Sequence, residues 1–202
     1  MRAIVLKLFL ILILGSSSVF GQGPQNRELT FLAGPLRSTT QMIPGSSVAV
    51  STSTGLIFEN SIGDQVLSTS AGALYVEVPV VWIFPGESVA LGATGSRHLM
   101  GNFVTPGIRF KIPLQSRVSA YGILGGGYGV FRRYELATDA SNGLLVQAVG
   151  RWVFDFGGGA DVRLSRPFSL RVEVRDFVGG KGLSGVDGRH HVIALGGIAL
   201  HF

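Results

Sequence analysis

Residues 168–177 read FSLRVEVRDF. Leu170, Val172 and Val174 fall on one parity, and Arg171, Glu173 and Arg175 fall on the other. Successive side chains of a strand point to opposite faces. This stretch therefore makes a strand with three apolar side chains on one face and three charges on the other, whereas a helix would mix the two sets. The segment before it repeats the pattern. In WVFDFGGGADVRL (152–164), Trp152, Phe154, Phe156, Ala160, Val162 and Leu164 share one parity, and Asp155, Asp161 and Arg163 share the other. Ser165, Arg166 and Pro167 form a short turn between the two. If Leu164 pairs with Phe168, Asp161 lies opposite Arg171, and opposite charges across strands stabilise by a few tenths to about 1 kcal/mol.

Working outward, eight strands are expected at 27–33, 48–64, 73–84, 103–112, 118–132, 144–164, 168–177 and 191–202. The third shows Leu74, Val76, Val78, Val80 and Trp82 opposite Glu77, and the fourth shows Ile108, Phe110 and Ile112 opposite Arg109 and Lys111. The second alternates least. Pro79 and Pro106 interrupt good patterns, and a missing ladder donor marks each as a bulge or strand end. The connections are long (34–47), medium (65–72), long (85–102), short (113–117), long (133–143), short (165–167) and long (178–190). A barrel in an outer membrane has short turns at one end and longer loops at the other. A soluble sandwich has no reason to sort its loops this way.

Composition agrees. Glycine is 30 of 202 residues and charged residues are only 14%, against about 7% and 25% in ordinary soluble domains. Yet the one long apolar run, LFLILIL at 8–14, is too short to span a membrane as a helix, which needs about 20 residues. Flanked by Arg2 and Lys7 and followed by small residues up to Val19, Phe20 and Gly21, it has the layout of a cleaved secretory leader. Residues 1–21 are expected to be removed, and 22–202 to form one barrel domain. The chain has no cysteine, which excludes disulfides, thiolate metal sites and a lipid-modified N-terminal cysteine. Its net charge of +5 is scattered, with no stripe for nucleic acid.

The last strand, HVIALGGIALHF, ends on Phe202, with Leu200 and Ile198 on its parity and Gly197 five positions before the end. It resembles the terminal assembly signal of outer-membrane barrels, here carried by Gly197, Leu200 and Phe202, with Leu195 standing where that signal often has a polar residue. The mature chain as a whole resembles the small barrels of the OmpA/OmpX type, without the soluble peptidoglycan-binding domain that follows the barrel in OmpA. The resemblance implies an all-β, membrane-spanning, antiparallel up-and-down barrel of about eight strands in a Gram-negative cell envelope. It also implies outer-membrane lipid, lipopolysaccharide and the barrel-assembly machinery as partners, and a monomer.

The expected lumen set is Glu77, Arg109, Lys111, Asp155, Asp161, Arg163, Arg171, Glu173 and Arg175. Eight-stranded barrels are filled by side chains, so a structural charge network that plugs the lumen is expected ahead of a narrow pore. The glycine runs 125–127 and 157–159 precede no helix start and no Lys-Ser/Thr pair, so they fit close packing in strands rather than a phosphate loop. His190 and His191 point to opposite faces, and His98 and His190 fall in expected outer loops, a poor basis for a metal site. No Gly-x-Ser-x-Gly elbow and no His-x-Ser pair on a strand is present. Trp82, Trp152, Tyr121, Tyr134 and Phe202 are candidates for the aromatic girdles. The expectation is a non-enzymatic outer-membrane barrel with a structural or surface-interaction role and no catalytic residue, cofactor or metal. Its rivals are a lipid-modifying enzyme of the same architecture, a narrow pore, and a soluble periplasmic barrel or sandwich with an apolar ligand inside.

Overall fold

The computed structural model describes residues 26–38, 41–42, 49–50, 55–90, 96–136, 144–179 and 189–202. The expected leader lies outside them. The strands are β1 (Arg27–Ser38), β2 (Gln41–Met42), β3 (Ala49–Val50), β4 (Gly55–Thr69), β5 (Gly72–Ala90), β6 (Ser96–Val104), β7 (Gly107–Pro113), β8 (Val118–Leu136), β9 (Leu144–Arg163), β10 (Phe168–Gly179) and β11 (Arg189–His201). Among the described residues, β2 and β3 pair only with each other. The other nine form one antiparallel sheet. β1 pairs with β4 on one side and β11 on the other, which closes the sheet into a barrel. β6 and β7 lie end to end between β5 and β8, so they act as one stave, and the barrel has eight.

The strands expected from alternation are present, with corrections at their ends. The second does not run through 48–64. It spans Gly55–Thr69, and Ala49 and Val50 belong to the small separate pair. The connection expected at 65–72 shrinks to Ser70 and Ala71, because backbone pairing continues past the last apolar alternation. Pairing likewise carries β5 to Ala90 and starts β6 at Ser96, inside the loop expected at 85–102, with a register shift between Ile83 and Glu87. The expected fourth strand is broken at Thr105 and Pro106. Pro79 sits opposite that break, where β5 passes from β7 to β6, and its carbonyl accepts from the Thr105 amide. Both prolines thus fall where the ladder is already interrupted.

Short turns at 70–71, 114–117 and 164–167 gather at one end with Asn26 and Phe202. Arg27 and Phe202 exchange backbone hydrogen bonds there. Above this turn end, Leu170, Val172, Val174, Phe154 and Phe156 face outward and exposed, whereas Arg171, Glu173 and Arg175 face inward and buried. Along β9, the outward series from Leu164 up to Trp152 covers about 40 Å of strand, or about 30 Å in projection at the tilt usual for such barrels. That height matches a bilayer's hydrocarbon core. Trp152, 70% exposed and edge-on to Tyr128, marks the far side of the band. The exposed His190 pairs with Asp176 at 2.6 Å, and the ladder sets these two residues at the levels of Phe154 and Phe156.

Glycines make the interior possible. Arg171 pairs across the ladder with Gly197, Arg175 pairs with Gly157, and an added Cβ on Gly63 would stand 3.2 Å from an Arg109 nitrogen. A Cβ on Gly157 would meet the Val174 carbonyl oxygen and the Arg175 side chain. We predict that Gly157→Ala costs about 1–3 kcal/mol through overpacking. Gly196→Ala, on the outer face with open space around it, should be close to neutral. Urea titrations of folding into lipid vesicles distinguish the two, and equal costs would remove the packing explanation.

Candidate functional site

The inward residues change character from the turn end upward. At the turn end, β1, β10 and β11 contribute Glu28, Ser169 and His201, and β7 and β9 contribute Lys111 and Arg163. Further up come Arg109, Asp161, Arg171, Tyr75 and Tyr121, then Glu59, Glu77, Asp155, Glu173 and Arg175. Above these the inside is apolar: Leu32, Ile57, Val81, Ile83, Phe103, Val153, Phe177, Ile193 and Leu195 form one buried cluster. Phe103 and Phe177 meet within it at 4.5 Å between ring centroids. The inside is thus charged below this cluster and apolar within it.

The lower charges form a dense set. Arg171 donates to both carboxylate oxygens of Asp161 (2.7 and 2.8 Å), to Glu28 (2.8 Å) and to Thr30 (3.0 Å). The Asp161–Arg171 pair read from the sequence is therefore present, in the two-pronged geometry that suits guanidinium and carboxylate. Lys111 bridges Glu28 and Asp161. Arg109 donates to Glu28 and lies 3.2 Å from Glu77, which joins the lower set to the upper. Tyr75 and Tyr121 flank the Arg109 guanidinium at 4.8 and 5.4 Å, and Arg171 lies 5.0 Å from the Tyr121 ring. Tyr121 is thus a lumen residue and not part of a girdle. The side chain of Tyr134 lies outside the described residues.

The upper set has one hub. Arg175 contacts Asp155 (3.0 Å), Glu77, Glu173 and Glu59 (3.5 Å), all four buried. The Tyr121 hydroxyl donates to the second oxygen of Glu173 at 2.9 Å. Charges shielded from water need partners of this kind. Of the nine expected lumen residues, seven are buried inside, and Lys111 and Arg163 line the lumen mouth at the turn end. The sequence reading missed Glu28, Glu59, Thr30, Tyr75, Ser169 and His201. Glu28 and Thr30 were available from the alternation of ELTF at 28–31.

Arg109, Arg171 and Arg175 are each at most 2% exposed, so side chains fill the middle of the lumen. A polar cavity of about 350 Å³ remains below them, bounded by Ser169, His201, Lys111 and Arg163 and by Arg117 of a short turn. Among the described residues no cluster could hold a metal ion. His190 is paired with Asp176, and the side chain of His98 lies outside the described residues.

A closed antiparallel barrel of eight staves with an apolar outer band is the architecture of small outer-membrane barrels of the OmpA/OmpX type. No family model and no curated protein sequence matches the chain. Solved structures do. OprG of Pseudomonas aeruginosa matches with a TM-score of 0.55 at 14% identity, over 90% of this chain and 98% of that one. Neisserial surface protein A matches at 0.54 and 13%, over 88% and 97%. Ail, the attachment invasion locus protein of Yersinia pestis, matches at 0.51 and 14%, over 87% and 98%. At these identities the likeness is one of fold.

Proposed function

We propose that this chain is an integral protein of the bacterial outer membrane, with a structural or surface-interaction role carried at its long-loop end. The observation behind this reading is the polarity of the barrel. Val172 is 60% exposed and Glu173 beside it only 3%, an arrangement suited to lipid outside and ion pairs inside. The filled lumen favours a closed barrel over a pore. The soluble ligand-binding rival needs the opposite polarity, apolar inside and charged outside.

In this reading residues 1–21 are removed on export, the short turns face the periplasm, and lipid and lipopolysaccharide surround the band. Gly197, Leu200 and Phe202 act as the signal for the barrel-assembly machinery, and the barrel works as a monomer. The test is cell fractionation with gel mobility before and after boiling. The wild-type protein should sit in the outer-membrane fraction, lack residues 1–21, and migrate differently when unboiled. Deleting Phe202 should leave it unassembled in the periplasm. A wild-type protein that stays soluble without detergent overturns the reading.

A further inference from the structure

Three buried side chains at the turn end of the lumen stand in the order of a nucleophile, a base and an orienting carboxylate. Ser169 Oγ lies 2.8 Å from His201 Nε2. His201 Nδ1 lies 3.3 Å from Glu28 Oε1. The ladder produces this arrangement. Glu28 pairs directly with His201, and Ser169 pairs with Ala199, so all three side chains point inward from three adjacent strands, β1, β11 and β10, with Ser169 diagonal to His201. All three also border the 350 Å³ cavity.

We propose that Ser169, His201 and Glu28 form a catalytic triad for hydrolysis of small esters that enter the lumen from the turn end. Arg109 and Arg171 hold Glu28 Oε2, and Lys111 donates to Oε1, the oxygen that also faces His201. Facing a carboxylate, His201 carries its proton on Nδ1, which leaves Nε2 free to accept from the Ser169 hydroxyl. As Ser169 Oγ bonds to the ester carbonyl carbon, its proton passes to His201 Nε2 and the carbonyl electron pair moves to oxygen. Collapse of that tetrahedral adduct expels the alcohol, which takes the proton from Nε2 and leaves acyl-Ser169. Water then attacks the acyl carbon by the same route, giving the carboxylic acid and restoring Ser169. The cavity is at the small end of ligand pockets, so only short acyl groups fit. Lys111, Arg117 and Arg163 on its wall favour esters that carry an anionic group and the anion that forms during attack.

The experiment uses the full mature chain folded in detergent, a small alkyl fluorophosphonate as serine probe, and mono-4-nitrophenyl succinate as substrate. Folding of each variant is checked by the mobility of the unboiled protein. The wild type should carry the phosphonate on Ser169 by peptide mass mapping. Ser169→Ala should abolish it, and His201→Gln should slow both labelling and turnover at least about 100-fold, the range of a lost general base. A folded wild type that is no more reactive than Ser169→Ala overturns the proposal, as does a His201→Gln variant with an unchanged rate. Neither outcome bears on whether the barrel resides in a membrane.

Discussion

Arg175→Ala should destabilise the folded barrel by about 3–5 kcal/mol, the cost of removing one partner from a buried charge set. Arg175 is the shared cation of Glu59, Glu77, Asp155 and Glu173. Each of these carboxylates is at most 3% exposed, so water cannot replace the lost guanidinium without opening the lumen. Arg175→Lys should recover only part of the loss, since one ammonium cannot reproduce a planar fork that meets several carboxylates at once. Neutralising two of the acids by Glu59→Gln and Glu77→Gln in the Arg175→Ala background should restore at least about 1 kcal/mol, because it removes repulsion among groups left unpaired. Urea titrations of folding into lipid vesicles measure all of these. A loss below about 1 kcal/mol for Arg175→Ala would mean that the apolar cluster above it holds the barrel without help from the hub.

The contrast between that hub and that cluster explains what the sequence shows and what it hides. Arg171, Glu173 and Arg175 are legible because their outward neighbours are apolar, so the two faces of β10 differ. Ile57, Val81, Ile83 and Val153 also point inward. They stand between outward Leu56, Phe58, Val80, Trp82, Trp152 and Phe154, however, and a strand apolar on both faces has no period to read. That loss of period is why the second strand alternated least, why its start was misplaced, and why Glu59 went unnoticed. Tyr121 is ambiguous in the sequence because an aromatic with a polar tip suits both a membrane interface and a buried hydrogen bond. Only its parity with Ile123, and its bond to Glu173, decide between them.

The Ser169, His201 and Glu28 constellation was out of reach for a different reason. Its members are 32 and more residues apart, so no local spacing announces it. It depends on the register of β10 against β11 and of β11 against β1, and slipping either by one residue turns a side chain to the outer face. Alternation fixes which residues point inward, but closure of the barrel fixes which of them meet. The charged ladder of β9 and β10 could be anticipated because a three-residue turn sets its register, whereas the pairing of the first strand with the last could not.

Val172→Arg tests the outer face as Arg175→Ala tests the inner one. Val172 sits midway along the outward series of β10, between Leu170 and Val174, and 60% of its surface is exposed. Arginine at the mid-plane of a barrel's lipid face costs about 2–4 kcal/mol, so Val172→Arg should fold poorly into bilayers yet still fold in detergent, whose thin apolar layer lets the long side chain reach water. Glu173→Gln, one residue along and facing inward, should keep the barrel in both, with a loss of about 1 kcal/mol from a weaker bond to Tyr121 and a less neutralised Arg175. The chain has no cysteine, so single cysteines at 172 and 173 give a second reading of the same geometry. In vesicles a water-soluble thiol reagent should spare both, position 172 because lipid covers it and position 173 because the ion-pair network does. A lipid-soluble reagent should reach position 172 only. Free labelling at 172 by the water-soluble reagent in the native membrane would place that face in water, and the barrel would then be a soluble one with its charges buried for some other purpose.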